Sequence, residues 1–428
     1  MTGFTRRRFI QVTGTCAAVG TLGSISPAVF GAGAKARVIV VGGGYGGAIA
    51  AKYLKRADPG IDVMLIERNP NYVSCPLSNE VLSGERSLDS LTFGYQALAD
   101  KHGVKVVHDS VVGIDANAHK LKVAGGSEYT YDKLILSPGI NFRYDKIGGY
   151  SAEVAERIPH AWKAGPQTQL LRKQLEGMKD GGVCYIVAPP NPFRCPPGPY
   201  ERAAQIALYF KHHKPKSKVI ILDAKDRFSK QGLFMQGYEK FYPGMVEWVS
   251  GASGGIIEAV NPDAMTLVGQ VDEYKGDVLN IIPPQKAGQI AQDAGLTNET
   301  GWCPVDQRTF ESTLAKDVFV IGDASIAGKM PKSGYAANSQ AKVCAAAVAA
   351  MVNGEAPGEP SYVNTCYSII SPEWGISVAA VYQLVNGSIE GVEGAGGLSP
   401  MDASEHTRAT EAEYARSWFR NITADMFT

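Results

Sequence analysis

Arg37-Val38-Ile39-Val40-Val41-Gly42-Gly43-Gly44-Tyr45-Gly46-Gly47 is the stretch that decides the fold. Its β-branched apolar run is of strand type and ends in a glycine cluster. Gly42, Gly44 and Gly47 stand in the G-x-G-x-x-G spacing. Residues 48–57 read as a helix. Ile61-Asp62-Val63-Met64-Leu65-Ile66 reads as a second strand that ends at Glu67, 20 residues after Gly47. Glycines at these places permit a tight turn and let the backbone approach a pyrophosphate, which rests on the helix N-terminus. An acid at this distance accepts a hydrogen bond from a ribose hydroxyl. Strand, glycine turn, helix, strand and acid, in this order, predict a dinucleotide-binding βαβ unit.

Two further segments choose the dinucleotide. Tyr131-Asp132-Lys133-Leu134-Ile135-Leu136-Ser137-Pro138-Gly139 is a strand running into a glycine turn. Val318-Phe319-Val320-Ile321-Gly322-Asp323-Ala324 is a late strand ending in Gly-Asp. Both resemble recurring motifs of the glutathione-reductase-like flavoproteins, which carry two dinucleotide domains. The resemblance implies FAD, with Gly139, Gly322 and Asp323 among its ligands and the aspartate on the ribityl chain. Asp323 also reads as an ordinary strand-end turn residue. The late motif lies far from the first, so the FAD domain is expected to be discontinuous.

Residues 182–188 and 218–223 read as the first two strands of a second Rossmann-like unit. Between them, where a nicotinamide cofactor needs glycines, stands Pro189-Pro190-Asn191-Pro192-Phe193-Arg194-Cys195-Pro196-Pro197-Gly198-Pro199. Proline has no N–H to offer a phosphate, and its fixed φ excludes the tight glycine turn. The expectation is an inserted domain without a nucleotide site, and an electron donor other than NAD(P)H. A helix follows over residues 199–211. The fold class is α/β: two Rossmann-like three-layer domains and a C-terminal α+β interface domain. The expected boundaries begin with an export signal at 1–34. The FAD domain is expected in two segments, 35–148 and 284–356, on either side of the inserted domain at 149–283. The interface domain is expected at 357–428.

The N-terminal 34 residues carry Arg6, Arg7 and Arg8 and no acid, followed by a weakly apolar, Gly/Ala/Thr-rich stretch and Ala32-Gly33-Ala34. This resembles a twin-arginine export signal with a small-residue cleavage site, and it implies a periplasmic protein. The whole chain has 428 residues, with 42 Lys+Arg against 42 Asp+Glu. Losing the three arginines takes the net charge to −3. That balance speaks against a nucleic-acid or anionic-membrane binder. No other apolar run is long enough to span a bilayer, so no stable membrane insertion is expected.

Seven cysteines become six once Cys16 leaves with the signal. Cys184 in an apolar strand and Cys344 in an alanine-rich helix read as buried, inert thiols. Cys303 reads as a packed loop residue. Cys75 lies on the loop after the second strand, and Cys366 is polar-flanked. Cys195 precedes a helix N-terminus and follows Arg194, both of which lower a thiol pKa. No C-x-x-C-H run and no metal-ligand spacing occurs, so this chain should carry neither c-type haem nor metal.

Ser74-Cys75-Pro76-Leu77-Ser78-Asn79-Glu80-Val81, Pro192-Phe193-Arg194-Cys195-Pro196-Pro197-Gly198-Pro199-Tyr200-Glu201, Met330-Pro331-Lys332-Ser333-Gly334-Tyr335 and Asn364-Thr365-Cys366-Tyr367-Ser368-Ile369 together resemble the flavoprotein subunit of flavocytochrome c sulfide dehydrogenase. The resemblance spans the mature chain. It implies a thioether from Cys75 to the flavin and a redox disulfide between Cys195 and Cys366. Pro76 departs from the pattern, which has an aromatic residue there. Glu201 is a candidate base, or a helix-N-terminal acid satisfying the dipole. Tyr335 and Trp418 match aromatic residues near the flavin, and each also reads as ordinary packing. Lys332, Gly334 and Tyr335 open a helix whose N-terminal amides would stabilise negative charge on the reduced ring.

The implied activity is oxidation of hydrosulfide to polysulfide or sulfur, with electrons passed singly to a c-type cytochrome subunit. A sulfide:quinone oxidoreductase and a non-catalytic flavin-loaded electron-transfer subunit are the alternatives. In the tail, residues 376–382 read as a strand and 391–397 as a glycine-rich loop. Residues 409–427 read as a helix with Tyr414, Trp418 and Ile422 in one stripe. The tail's acids Glu405, Glu411, Glu413 and Asp425 favour a soluble partner over a membrane.

Overall fold

The computed structural model describes residues 33–428. The segment expected to be an export signal, with Arg6, Arg7, Arg8 and Cys16, therefore lies outside the described residues, apart from Gly33 and Ala34.

Val38 to Val41 are apolar and buried on both faces, as a central parallel strand requires. Arg37–Val41 pairs in parallel with Asp62–Ile66 on one side and Lys133–Leu136 on the other. Lys105–Val107 and Val318–Val320 complete a five-stranded parallel sheet. Strands from both ends of the sequence thus share one sheet. Helices Gly47–Ala57 and Gly334–Val352 pack on each other. The second helix is capped by Ser333, whose side chain accepts from the Ala336 N–H.

The second Rossmann-like unit is a four-stranded parallel sheet in the order Val246–Val249, Lys218–Asp223, Val183–Ala188, Val278–Ile281. Helix Gly198–His213 lies on it and also meets the C-terminal sheet. That third sheet is an antiparallel meander of Ser361–Ser371, Trp374–Val385 and Ser388–Leu398.

Two readings of the tail need correction. Residues 391–397 are strand, not loop. Gly396 lies so close to its neighbour that a Cβ there would stand 2.2 Å from the Ala379 carbonyl oxygen, so glycine marks strand proximity and not a turn. The stripe of Tyr414, Trp418 and Ile422 does not stay on one face. Each four-residue step turns a helix by about 40°, so Ile422 is buried while Tyr414 is 56% exposed. The buried face of helix Glu405–Phe427 is Ala412, Ala415, Phe419, Ile422 and Met426.

Candidate active site

The glycine turn is built as its spacing requires. Gly42 has φ +95°, a left-handed conformation that glycine adopts freely, and its N–H reaches the Ile66 carbonyl at 2.9 Å. A Cβ on Gly47 would stand 1.7 Å from the Gly42 carbonyl oxygen, so only a bare backbone lets the helix start there. Glu67 Oε2 accepts from the Gly43 N–H at 2.8 Å and Oε1 from the Asn69 N–H at 2.9 Å. A cleft of about 920 Å³ opens over this turn. Gly42, Gly44, Glu67, Cys75, Gly139, Asp323 and Gly334 line it, as does Gly322. Gly47 packs behind it.

These residues fit FAD. The glycine cradle would be filled by any side chain. Asp323 Oδ1 is shut from solvent and has no hydrogen-bond partner among the described residues. An orphaned buried carboxylate oxygen is costly, and a ribityl hydroxyl is the donor it needs. Burial pushes the Asp323 carboxyl up, against the opposing pull of Arg194 and Lys332. Arg194 Nη1 stands 4.0 Å from Asp323 Oδ2.

A second, smaller cavity of about 90 Å³ joins residues from separate stretches of the chain. Cys75, Cys195, Glu201, Tyr335, Cys366 and Trp418 all line it, so it gathers the three candidate catalytic residues with three that were expected at the flavin. Cys75 lines both cavities and sits at their junction, with its Sγ 3.7 Å from the Trp162 carbonyl oxygen. Tyr335 stacks on Trp418 with centroids 6.4 Å apart, and Tyr367 meets Trp418 at 6.3 Å.

Cys195 occupies a left-handed backbone position, φ 58°, where a non-glycine residue is strained. Its N–H donates to the Lys332 carbonyl at 2.8 Å, which ties the proline loop to the start of helix Gly334–Val352. All six described cysteines are free thiols here. The expected lowering of the Cys195 pKa is wrong. Burial pushes the thiol well up, Cys366 and Glu201 add to that, and Arg194 and Lys230 only partly oppose it. Desolvation of a thiolate outweighs one neighbouring guanidinium. Cys366 is raised for the same leading reason.

Glu201 lies in the first turn of its helix but does not serve that helix's amides. Oε1 accepts from the Ile369 N–H at 2.8 Å, and Oε2 from Asn79 Nδ2 at 2.9 Å. It is buried, and burial raises its carboxyl above the usual range. A carboxyl in that condition can hold and return a proton beside the two cysteines.

Lys332 is not in the cysteine cavity. Nζ donates to the Asp323 carbonyl at 2.7 Å and the Ser325 carbonyl at 2.9 Å, and it lies 3.8 Å above the Trp302 ring. Burial lowers it to about 8. It faces a third cleft of about 840 Å³, walled by Pro189, Pro190, Pro192, Phe193 and Pro196. Cys184, Cys303 and Cys344 are wholly buried. No group of three or more His, Cys, Asp or Glu able to hold a metal occurs among the described residues.

Sequence reading missed Arg202, Asn79, Trp162 and Lys230. Arg202 donates to Asn79 Oδ1, Asn280 Oδ1 and the His160 and Ala161 carbonyls, at 3.1, 2.8, 2.9 and 2.6 Å. It follows Glu201 directly, and a charged pair inside an otherwise apolar helix was the available signal. Lys230 had none.

Three family models match the chain. Residues 168–283 match "Sulfide dehydrogenase [flavocytochrome c] flavoprotein chain, central", and residues 358–427 match "Flavocytochrome c sulphide dehydrogenase, flavin-binding". Residues 36–174 match "Pyridine nucleotide-disulphide oxidoreductase". The sulfide dehydrogenase [flavocytochrome c] flavoprotein chain of Chlorobaculum thiosulfatiphilum is 58% identical over 45 residues, which are 94% of that sequence and 10% of this one. The mitochondrial sulfide:quinone oxidoreductase of Mus musculus is 24% identical over 315 residues, 67% of this chain and 65% of that one. The chain thus spans just under two thirds of the mouse relative. In fold, it is similar to the sulfide:quinone oxidoreductase structure from Aquifex aeolicus, with a TM-score of 0.72 and 15% identity, covering 91% of this chain and 92% of that one.

Proposed function

We propose that this chain, which belongs to the family of flavocytochrome c sulfide dehydrogenase flavoproteins, oxidises hydrosulfide through a Cys195–Cys366 bridge and a bound FAD. The observation that carries the reading is the single small cavity that brings Cys195 and Cys366 together with Glu201 and Cys75. FAD supplies the two-electron sink, and it can release those electrons one at a time.

The residues of the chain do the rest. Hydrosulfide is a thiolate-like nucleophile that attacks a disulfide sulfur directly. It leaves a persulfide on one cysteine and a thiolate on the other. A second hydrosulfide removes the outer sulfur as polysulfide. Glu201, held by Ile369 and Asn79, is placed to take the proton of the outer sulfur as the polysulfide leaves and to return it to a cysteine thiolate. Arg194 and Arg202 border the same space and favour the anion that enters it. In the small cavity, water is scarce, so these charges act with little screening.

Cys75 joins the flavin through sulfur, supported by its place where the flavin cleft meets the cysteine cavity. The electron acceptor is a c-type cytochrome subunit, reached past the Tyr335, Trp418 and Tyr367 rings. The chain works in the periplasm after twin-arginine export, supported by Arg6, Arg7 and Arg8. No described helix is long and apolar enough to cross a membrane.

Anaerobic hydrosulfide is expected to bleach the flavin absorbance of the purified protein, while NADH at the same concentration does not. Bleaching by NADH would sink the proline-loop argument. Adding oxidised cytochrome c or a quinone to the bleached protein then separates the two acceptors by which one restores the colour. For the thioether, the yellow chromophore is expected to stay with acid-precipitated protein. It is expected in the supernatant after Cys75→Ala.

A further inference from the structure

We propose that Lys230 is a positioning residue of the sulfur chemistry, fixing the Cys366 backbone and supplying the positive charge that favours the thiolate released when the bridge opens. The inference rests on the reading of Cys195 and Cys366 given above.

Lys230 is 4% exposed and holds a left-handed position, φ 61°, at the N-cap of helix Gln231–Phe241. A lysine rarely combines burial with a strained backbone, since each is costly. Its Nζ donates to Ser368 Oγ at 2.8 Å and to the Cys366 carbonyl at 3.2 Å. An ammonium has three donors, and beyond these two hydrogen bonds Nζ has only the Phe234 ring, 5.9 Å from its centroid. Among the described residues, no carboxylate stands within ion-pair distance of Nζ. Buried charges are normally paired, so this one awaits a partner.

The neighbourhood points to the cysteines as that partner. Cys195, Cys366 and Glu201 all feel the Lys230 charge, which favours the ionised form of each. Glu201 acts in the opposite direction on both thiols. Arg194 and Arg202 are the cationic groups that line the cavity, Lys230 lies behind the Cys366 strand outside that lining, and helices Gly334–Val352 and Glu405–Phe427 present Tyr335 and Trp418. When hydrosulfide opens the bridge, one sulfur–sulfur bond forms and one breaks. The bonding pair leaves on the second cysteine, and the hydrosulfide proton stays on the outer sulfur. One negative charge enters on the substrate and ends on a cysteine, in a buried place. Lys230 is fixed on the strand that carries one of those cysteines, so its charge needs no rearrangement to meet it.

The test uses the flavin-loaded full chain, reduced with dithiothreitol and alkylated with iodoacetamide across a pH range. The Cys195 and Cys366 peptides are followed by mass spectrometry, since Cys184, Cys303 and Cys344 are wholly buried. Lys230→Met is expected to move the alkylation midpoint up by roughly one pH unit and to slow sulfide bleaching at neutral pH by about tenfold. Lys230→Arg is expected to restore most of both. Lys230→Gln, which can keep the two hydrogen bonds without the charge, gives the same reading if the methionine variant does not accumulate. An unmoved midpoint in the neutral variants overturns the proposal, even where bleaching slows. If the unaltered protein fails to bleach with sulfide, the functional reading fails, and the midpoints still judge Lys230.

Discussion

Cys195→Ser is expected to abolish sulfide-driven bleaching, with the rate falling by roughly a thousandfold or more, while flavin content and the oxidised spectrum are retained. The hydroxyl that replaces the thiol cannot form the bridge, so hydrosulfide has no sulfur to attack. The local backbone should tolerate the change. The backbone N–H at position 195 still donates to the Lys332 carbonyl, and serine is no bulkier against Gly198, whose Cβ position lies 3.0 Å from the Cys195 sulfur. Cys366→Ser should lose as much, and the double variant no more than either single one, because residues that act as a unit are not additive. Anaerobic stopped-flow absorbance reads all three. Sustained bleaching in Cys195→Ser would leave the pair a merely structural feature and would mean that hydrosulfide reduces the flavin without it.

What the sequence shows and what it hides follow from how local the determinants are. The glycine turn was legible to the residue, because one short run of chain builds strand, turn and helix by itself, and Gly47 allows no substitute against the Gly42 carbonyl. The edges of strands Val183–Ala188 and Lys218–Asp223 were legible for the same reason. The site was legible mainly by resemblance. Nothing local to Cys366 says that it faces Cys195, since the meander that carries it meets helix Gly198–His213 only through tertiary packing. The direction of the Cys195 pKa was not legible, because helix end and arginine can be read in sequence whereas burial of Cys195 cannot. Glycines at 391–397 misled because glycine serves both turns and close strand contacts.

Arg202→Met should cost about 3–5 kcal/mol of stability, because several buried acceptors lose their donor at once. Arg202 is 3% exposed and has no carboxylate within ion-pair distance among the described residues. Burial lowers its guanidinium only to about 10, so it is charged at neutral pH. Its charge is spread over four acceptors on three separate segments: Asn79 beside the Cys75 loop, His160 and Ala161, and Asn280 on strand Val278–Ile281. Its face also lies 5.0 Å from the Trp162 ring centroid. Methionine fills much of the volume but leaves those acceptors without a donor in a place that water does not reach, which is the expensive half of losing a hydrogen bond. Asn79 then loses the partner that orients it, and with it the amide that holds Glu201. The thermal midpoint of the flavin-loaded protein is expected to fall by roughly 5–10 °C, read by scanning calorimetry. Arg202→Lys should recover little, because one ammonium cannot reach what a planar fork of five donors reaches. An unchanged midpoint in Arg202→Met would mean that the segments are held by their own packing, and that the guanidinium serves only the charge of the cysteine cavity.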